Sequence, residues 1–323
     1  MVVRVVLAGD TMLGRGVGDR LATGAAFEEL FSPAVRGICA DADACVLNLE
    51  CCVSDRGERW AAPGKPFFFR APPRAAALLS WLGIGCVTLA NNHALDYGSM
   101  ALLDTLAHLR AAGIAVTGAG PDEDTARDWR ALDAGGKRLG VLGVTDHPAD
   151  FAATATSPGV AYADLHRQVP DWLVERIAAM AAETDLALVM PHWGPNMTSR
   201  PVPHVRAAAP ILLAAGATLV AGHSAHVFHG AHGPVLYDLG DFIDDYAVDP
   251  HLRNDLGLLF EVTVDDRGPV HVEAVPLALD YCHTRLARAR EADWIGHRFA
   301  AACAELGSTA TAVADGRWRV PLR

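Results

Sequence analysis

Residues 89–98 read LANNHALDYG, and this stretch sets the pattern that the rest of the chain follows. A short apolar run from Cys86 precedes it and predicts a buried strand, and an amphipathic helix is predicted over residues 99–112. Asn92, His93 and Asp96 therefore lie at the carboxyl end of a strand, where ligands bind in open α/β sheets. A structural interpretation stays open, in which Asn92 and Asp96 are turn and cap residues and His93 is a core histidine.

Polar residues also follow the apolar run of other predicted strands. Taken singly, each case has an ordinary alternative, such as an N-cap for Asp10, a solvated carboxylate for Glu50 or a polar turn for Asp146 and His147. Taken together, acids, amides and imidazoles at one sheet edge are the expected layout of a metal site. His204, just before a predicted helix, is expected at the surface. The strand ends carry Asp10, Asn48 and Glu50, Asn92 and His93, Asp146 and His147, His192, His223 and His226, and Asp238 and Asp241.

The order of predicted elements indicates a layered α/β fold. Strands and helices alternate as far as residue 239, after which residues 257–264 and 270–274 predict two antiparallel strands joined by a turn. A closing helix is predicted over residues 291–306. We find no repeat and no clear linker, so one domain spanning residues 1–323 is expected, with a core over roughly 3–280 and a C-terminal appendage over 281–323.

Composition excludes several classes of partner. The 323-residue chain carries a formal net charge of −11 and has no cluster of Lys or Arg, so neither nucleic acid nor a stable membrane association is expected. No segment reaches the roughly 20 apolar residues of a membrane helix, and we expect a cytoplasmic protein. The seven cysteines are odd in number and form no Cys-x-x-Cys, so buried reduced thiols are predicted. Zinc-finger ligand pairs and the Gly-x-Ser-x-Gly of α/β hydrolases are both absent from the sequence.

Six segments together resemble the bacterial capsule-synthesis family, the CapA-type or poly-γ-glutamate family of the calcineurin-like metallophosphoesterase superfamily. The resemblance covers roughly residues 3–264 and implies a calcineurin-like four-layer α/β/β/α sandwich, with a metal site at the carboxyl ends of the strands. The segments are GDTMLGR (9–15), NLE (48–50), LANNHALDYG (89–98), HWG (192–194), GHSAHV (222–227) and YDLGDF (237–242).

Three departures from the superfamily's pattern affect the expected chemistry. Met12 stands where metallophosphoesterases usually have a histidine, a lack that the capsule family shares, and a thioether is a poor ligand for a hard cation. Asp238 and Asp241 replace neutral residues of the usual Ser-Leu-Gly-Asn, and the family's Gly-His-His-Pro-His loses its middle histidine at Ser224. We therefore expect one divalent ion, calcium or manganese, with oxygen ligands prominent. The proposed ligands are Asp10, Glu50, Asn92, His192 and His223.

Spare Asp and His side chains suit proton transfer, and the resemblance extends to peptide epimerases encoded with lasso-peptide pathways. The leading hypothesis is thus a metal-dependent isomerase that epimerises a Cα carbon in a peptide substrate by acid–base chemistry. The alternative is a metal-dependent phosphoesterase or an enzyme of poly-γ-glutamate or capsule biosynthesis, and a third interpretation is a non-enzymatic binder of peptide or polymer. The oligomeric state stays open. The proposed acids and bases are His93, His226, Asp10, Asp238 and Asp241, with Asp146 and His147 in reserve.

Overall fold

The computed structural model describes residues 2–61 and 64–323, and these form a mixed α/β fold. Short 3-10 helices span Phe27–Glu29, Ala149–Phe151 and Ala314–Gly316. The helices α1 to α8 are Arg15–Ala22, Pro33–Ala40, Arg74–Leu82, Gly98–Ala111, Glu123–Ala126, Asp171–Glu183, Pro203–Ala214 and Ala289–Glu305. The strands β1 to β20 are Val3–Thr11, Ala44–Leu49, Cys52–Val53, Arg70–Ala71, Cys86–Thr88, Ala115–Thr117, Ala119–Gly120, Arg130–Ala134, Lys137–Thr145, Gly159–Val160, Leu186–His192, Leu219–Ala221, Ala231–His232, Val235–Leu236, Asp241–Ile243, Leu256–Asp265, Gly268–Asp280, His283–Leu286, Thr311–Ala312 and Trp318–Pro321.

Two large sheets carry most of the strands. The first has the order β19-β20-β17-β16-β1-β2-β5-β6, with β1, β2, β5 and β6 parallel and β16 and β17 antiparallel. The short strand β15 also pairs with β1, and this pairing sets Asp10 opposite Asp241. The second sheet has the order β13-β14-β12-β11-β9-β8, in which β9, β11, β12 and β14 are parallel.

The period-two pattern of β1 explains how the layers stack. Val3, Val5 and Leu7 enter a core that they share with the second sheet, including Leu139 and Leu188. The alternate side chains of β1 pack in a separate core with helices α1 to α4. A third core lies between the second sheet and helices α6 and α7. Helices, sheet, sheet and helices therefore follow one another, and the likeness to calcineurin-like enzymes stays a prediction.

The C-terminal elements pack onto the same two sheets. The predicted hairpin is confirmed as β16 and β17, and β20 adds to it by pairing with β17. Phe299 of α8 lies in the core between the sheets. The division into a core and an appendage near residue 281 stays a prediction. All seven cysteines are free and buried, as predicted. Within the described residues, no helix is long and apolar enough to cross a membrane.

Gly9 lets two backbone segments meet beside the sheet edge. Its neighbour Asp10 donates its backbone N–H to Gly240 O at 2.8 Å, and a Cβ built on Gly9 would lie 1.9 Å from that same oxygen. We expect Gly9→Ala to lower the free energy of unfolding by about 2 kcal/mol or more, because backbone must move to admit the methyl group.

Gly37→Ala is the matched control, measured in the same denaturant titration. Gly37 lies inside α2, and a Cβ there would meet no heavy atom within 4 Å. Alanine should therefore stabilise the protein by about 0.5–1 kcal/mol through helix propensity. Equal effects of the two substitutions would contradict the tight approach at Gly9.

Candidate metal centre

The carboxyl ends of the parallel strands place the predicted polar residues at one edge of the paired sheets. Asp10 is the second-last residue of β1, and Glu50 follows β2 directly. His192 ends β11, and His223 follows β12 by two residues and forms an isolated bridge with His192. This bridge and the pairing of β1 with β2 and β15 bring side chains from both sheets to one point.

Four buried side chains form the innermost group. One ligand atom from each of Asp10, Glu50, His226 and Asp241 lies within 4.8 Å of those of the other three. His226 Nδ1 is 2.8 Å from Asp241 Oδ1, 3.6 Å from Asp10 Oδ2 and 3.8 Å from Glu50 Oε2. His226 Nδ1 thus faces all three carboxylates. His226 and Asp241 were predicted as acids or bases, and the structure places them among the candidate ligands.

Several buried atoms around this group have no hydrogen-bond partner. A buried polar atom without a partner destabilises the fold by about 1–3 kcal/mol, so a cluster of such atoms needs a physical reason. All of them except the Tyr246 hydroxyl are carboxylate or carbonyl oxygens or imidazole nitrogens, which are the usual metal ligands. The residues therefore fit a divalent cation. The unpartnered atoms of the predicted site residues are both Oε atoms of Glu50, Oδ2 of Asp241, Oδ1 of Asn92, and Nε2 of His192 and His223, and Asp244 Oδ2 and Tyr246 Oη nearby are also without a partner.

Asp10 is held in place by a shell of donors. Its Oδ1 accepts from Asn48 Nδ2 at 2.8 Å and contacts His223 Nδ1 at 3.0 Å, and its Oδ2 accepts from the Ser224 amide at 3.2 Å. Asn48 is fixed in turn by Asn91 Nδ2, which donates to Asn48 Oδ1 at 2.9 Å. Burial alone would raise the pKa of Asp10, but the His223 contact and the nearby imidazoles bring it below its usual value. Such outer contacts orient ligands in metal sites.

The pKa values of the other two carboxyl groups of the centre are raised, whereas that of Asp10 is lowered. Burial raises the pKa of Glu50 and of Asp241 well above the usual range, and neighbouring carboxylates add to the effect at both. Burial would lower the pKa of His226, but Glu50 and Asp10 raise it overall. Three acids around one imidazole therefore repel one another when ionised, and a cation among them would relieve that repulsion.

A second imidazole–carboxylate pair lies beside the centre. His93 Nδ1 is 2.6 Å from Asp96 Oδ2, and the same carboxylate contacts Lys65 Nζ through Oδ1 at 3.0 Å. The Phe69 amide also donates to Asp96 Oδ2, at 2.6 Å. Burial lowers the pKa of His93, so the ring is neutral at pH 7. With Nδ1 directed at Asp96, Nε2 is the free nitrogen that can accept a proton.

The loop at residues 222–226 aims two of the imidazoles. Ser224 and His226 have φ angles of 109° and 58°, which L-residues rarely adopt, and such strain is typical of functional sites. Asp238 stabilises this loop, because its oxygens accept the backbone N–H groups of Ala225 and Gly240, both at 2.9 Å. Burial raises the pKa of Asp238 well above the usual range. Its contacts are those of a positioning residue, and its predicted catalytic role stays a prediction.

An aromatic wall leads from solvent to both imidazoles. Phe67 is 55% exposed and stacks on Phe69 at a centroid distance of 6.3 Å. The Phe69 ring is 4.1 Å from His93, and the Tyr246 ring is 5.3 Å from His226. Arg15 lies over this wall, with its Cζ 5.8 Å from the Phe69 centroid and 6.0 Å from that of Tyr246. The wall thus offers apolar surface with one cation beside it.

Asp146 and His147 lie in a neighbouring cluster. The His147 ring is 5.2 Å from the His192 ring, and Asp146 Oδ2 lies 3.0 Å from His204 Nε2. The expected surface position of His204 is wrong, since its side chain is only 14% exposed. The helix begins at Pro203, so His204 lies in its first turn and faces the strand ends.

Sequence reasoning missed several members of these networks. Asn91 supports Asn48, whereas only Asn92 was predicted to act, and the run of two amides gave no means of choosing between them. Asp244 and Tyr246 follow β15, and burial raises the pKa of Asp244 to about 6. The acidic run at residues 244–245 was a signal that could have been used. Met12 is buried, and its Sδ accepts the Gly14 amide at 3.1 Å, which agrees with its exclusion as a ligand.

Known proteins are similar in sequence to this chain over most of its length. The family described as bacterial capsule synthesis protein PGA_cap matches residues 4–246. A probable polyglutamine synthesis accessory protein of Mycobacterium tuberculosis is 33% identical over 267 residues, which cover 78% of this chain and 69% of that protein.

Two relatives from Bacillus are more distant. The PGA biosynthesis protein CapA of Bacillus subtilis is 28% identical over 290 residues, or 85% of this chain and 73% of that protein. The capsule biosynthesis protein CapA of Bacillus anthracis is 29% identical over 204 residues, or 60% of this chain and 48% of that protein. The predicted resemblance is thereby confirmed at the level of the family, and its lasso-peptide epimerase members are not singled out. This chain belongs to the bacterial capsule synthesis protein family, PGA_cap.

Proposed function

We propose that the protein is a divalent-metal-dependent hydrolase of the metallophosphoesterase type that serves capsule or polyglutamate metabolism. One observation carries the proposal: buried ligand atoms of Asp10, Glu50, His226 and Asp241 lie within 4.8 Å of one another, and the rings of His192 and His223, whose Nε2 atoms have no partner, contact Glu50 and Asp10. The names of the relatives support the polymer class. These names favour the alternative from the sequence analysis, an enzyme of poly-γ-glutamate or capsule biosynthesis. They give no support to the leading hypothesis from the sequence, the peptide epimerase.

The ligand set favours a hard or borderline ion. Asp10, Glu50 and Asp241 supply carboxylate oxygens, and His226, His192 and His223 supply imidazole nitrogens. Carboxylates suit calcium and manganese, and manganese also accepts imidazole, so we propose manganese first and calcium second. When bound, such an ion supplies Lewis acidity at the scissile bond and makes water a better nucleophile at neutral pH.

His93 is the proposed proton carrier. Its Nδ1 is fixed by Asp96, which Lys65 and the Phe69 amide also hold, so the ring cannot turn without breaking the 2.6 Å contact. The neutral ring can accept a proton from water at Nε2 and return it to the leaving group. The side chain is only 7% exposed, so bulk water has little contact with the ring.

The wall beside the centre suits an anionic polymer. The guanidinium of Arg15 is 40% exposed and pairs with Asp245 at 3.3 Å, so it stays at the mouth of the site. A polyglutamate chain presents a carboxylate on each residue together with methylene groups, which match a cation above aromatic rings. A phosphate group would meet the same cation, and the test below includes both kinds of bond.

Turnover should depend on metal and on the proposed centre. We expect chelator-treated protein to be inactive, and added manganese to restore hydrolysis of phosphomonoesters, phosphodiesters or γ-glutamyl oligomers by at least 100-fold. His93→Gln should lower kcat by about 100-fold while manganese binding, measured by equilibrium dialysis, is retained. His251→Ala, at an exposed histidine, is the control. Silence across all three substrates, with metal bound at one equivalent, would contradict the hydrolase proposal.

One specific observation supports a second candidate function, peptide epimerisation. Two imidazole–carboxylate pairs, His93 with Asp96 and His226 with Asp241, lie along the same aromatic wall. Two such pairs suit removal and return of a Cα proton in a peptide substrate. In deuterated water, incorporation of deuterium at Cα without hydrolysis would favour this epimerase reading over the hydrolase.

A further inference from the structure

The cluster around Asp146 shares no residue with the four innermost residues of the candidate metal centre. Asp146 follows β9, His166 lies in the turn before α6, and His204 lies in the first turn of α7. One ligand atom from each of these three residues lies within 4.8 Å of the other two. Asp146 Oδ2 is 3.0 Å from His204 Nε2 and 3.8 Å from His166 Nε2. The centroids of the two imidazole rings are 3.7 Å apart, and their planes are tilted by 32°.

From this arrangement we infer that Asp146, His166 and His204 form a second metal site, of the kind that binds zinc. Zinc bonds to histidine nitrogen and carboxylate oxygen are about 2.0–2.2 Å long, so tetrahedral ligand atoms lie about 3.4 Å apart. The two distances from Asp146 Oδ2 fall on either side of this value. Small rotations of the imidazoles would give the required geometry, and the fourth position would be open to solvent.

Neighbouring groups prepare the carboxylate for this role. The side chain of Asp146 is fully buried, its Oδ1 contacts His147 Nδ1 at 2.5 Å, and its Oδ2 accepts the Gly194 amide at 3.1 Å. His147 acts here as the outer partner that orients a ligand.

The position of the site gives both access and a structural consequence. The His166 side chain is 58% exposed, whereas that of His204 is 14% exposed, so an ion can enter from the side of the turn. Two imidazoles and one carboxylate favour zinc over calcium or manganese, whereas the first centre has three carboxylates beside its imidazoles. A bound ion would tie the turn at residues 164–168 to the start of α7 and to the end of β9.

Zinc stoichiometry tests the assignment directly. Chelator-treated protein is dialysed against micromolar zinc and its metal content is measured, with His166→Ala, His204→Ala and the control His251→Ala treated in parallel. We expect each of the two cluster variants to bind one zinc equivalent fewer than the wild type and the control. The same loss should appear when Glu50→Gln is the background, because Glu50 is not among the three ligands of the Asp146 site.

Proteolysis supplies a readout that does not depend on activity. Arg167 is exposed beside His166, so trypsin can cut after it, and the fragment is identified by mass. We expect zinc to slow this cut at least tenfold in the wild type and not in His204→Ala. Equal zinc content in the wild type and both cluster variants overturns the inference, and so does zinc-independent cleavage at Arg167. His166 is more than half exposed, so its truncation leaves the fold intact and the test remains decisive.

Discussion

Glu50→Gln is expected to abolish metal-dependent activity and, at the same time, to raise the thermal stability of the metal-free protein. Both Oε atoms of Glu50 are buried without a hydrogen-bond partner, and Asp10 and Asp241 lie close by. Glutamine keeps the shape and carries no charge at any pH, so it removes the repulsion that arises when Glu50 ionises in the absence of metal. It also removes a ligand that an ion needs, so we expect activity to fall at least 100-fold.

Two measurements separate these effects. Manganese content by equilibrium dialysis should fall by one equivalent, and the Tm in excess chelator should rise above that of the wild type. A structural glutamate would behave in the opposite way, since loss of its charge would lower the Tm.

Glu261→Gln supplies that comparison. Glu261 is also buried, but its Oε1 lies 2.5 Å from Arg317 Nη1 and its Oε2 lies 3.5 Å from Arg4 Nη1. We expect this variant to keep its metal and to lose stability, because two guanidinium groups lose an ionised partner. A fall in Tm for both variants, with metal content unchanged, would show that Glu50 is not a ligand.

Metal affinity should rise steeply with pH. Burial is the main cause that raises the folded-state pKa values of Glu50 and Asp241 well above their usual range. Neighbouring carboxylates raise the pKa of His226 although burial opposes them. An ion can bind these groups only after their protons leave, so binding releases protons. The apparent Kd for manganese should therefore fall about tenfold per pH unit for each proton released, as pH rises from the usual carboxyl range of about 4 through the raised folded-state values.

The sign for stability follows from the same shifts. A carboxyl group whose folded-state pKa is raised contributes stability that is present below its unfolded pKa, about 4, and lost as pH rises through the folded value. Glu50 and Asp241 therefore destabilise the metal-free protein as pH increases, and manganese should add most to the Tm at the upper end of the range.

Calorimetry counts the protons directly. Manganese titrations in two buffers of different ionisation enthalpy, at pH 6 and pH 7.5, should give at least one proton released in the wild type and fewer in Glu50→Gln. A Kd that does not change with pH, with no proton released, would contradict the assignment of these groups as ligands.

The sequence predicted the elements well because local patterns largely determined them. The closing helix predicted over residues 291–306 is present as Ala289–Glu305, and the hairpin of β16 and β17 follows its alternation and turn. Polar residues after buried strands marked the site for a physical reason: parallel strands of one sheet end on the same side. Asp10, Glu50, His192 and His223 could thus be predicted without a structure.

Local pattern could not assign roles within the site. Asn91 and Asn92 are adjacent, yet only the first supports Asn48, because the turn after β5 directs the two amides differently. His226 was predicted as an acid or base, but its Nδ1 faces three carboxylates that come from three separate strand ends. His204 was expected at the surface and lies against Asp146, 58 positions away in the sequence.

The sequence by itself therefore determined the α/β class, the family and the edge at which polar residues gather, because hydrophobic period and strand order are local properties of the chain. The tertiary structure alone decided which atoms meet. The bridge between His192 and His223 and the pairing of Asp10 with Asp241 join segments distant in sequence, and burial among them shifts the pKa values of Glu50 and Asp241. Distances between side chains and the loss of solvent arise only when the two sheets pack together, and these two quantities control the chemistry of the site.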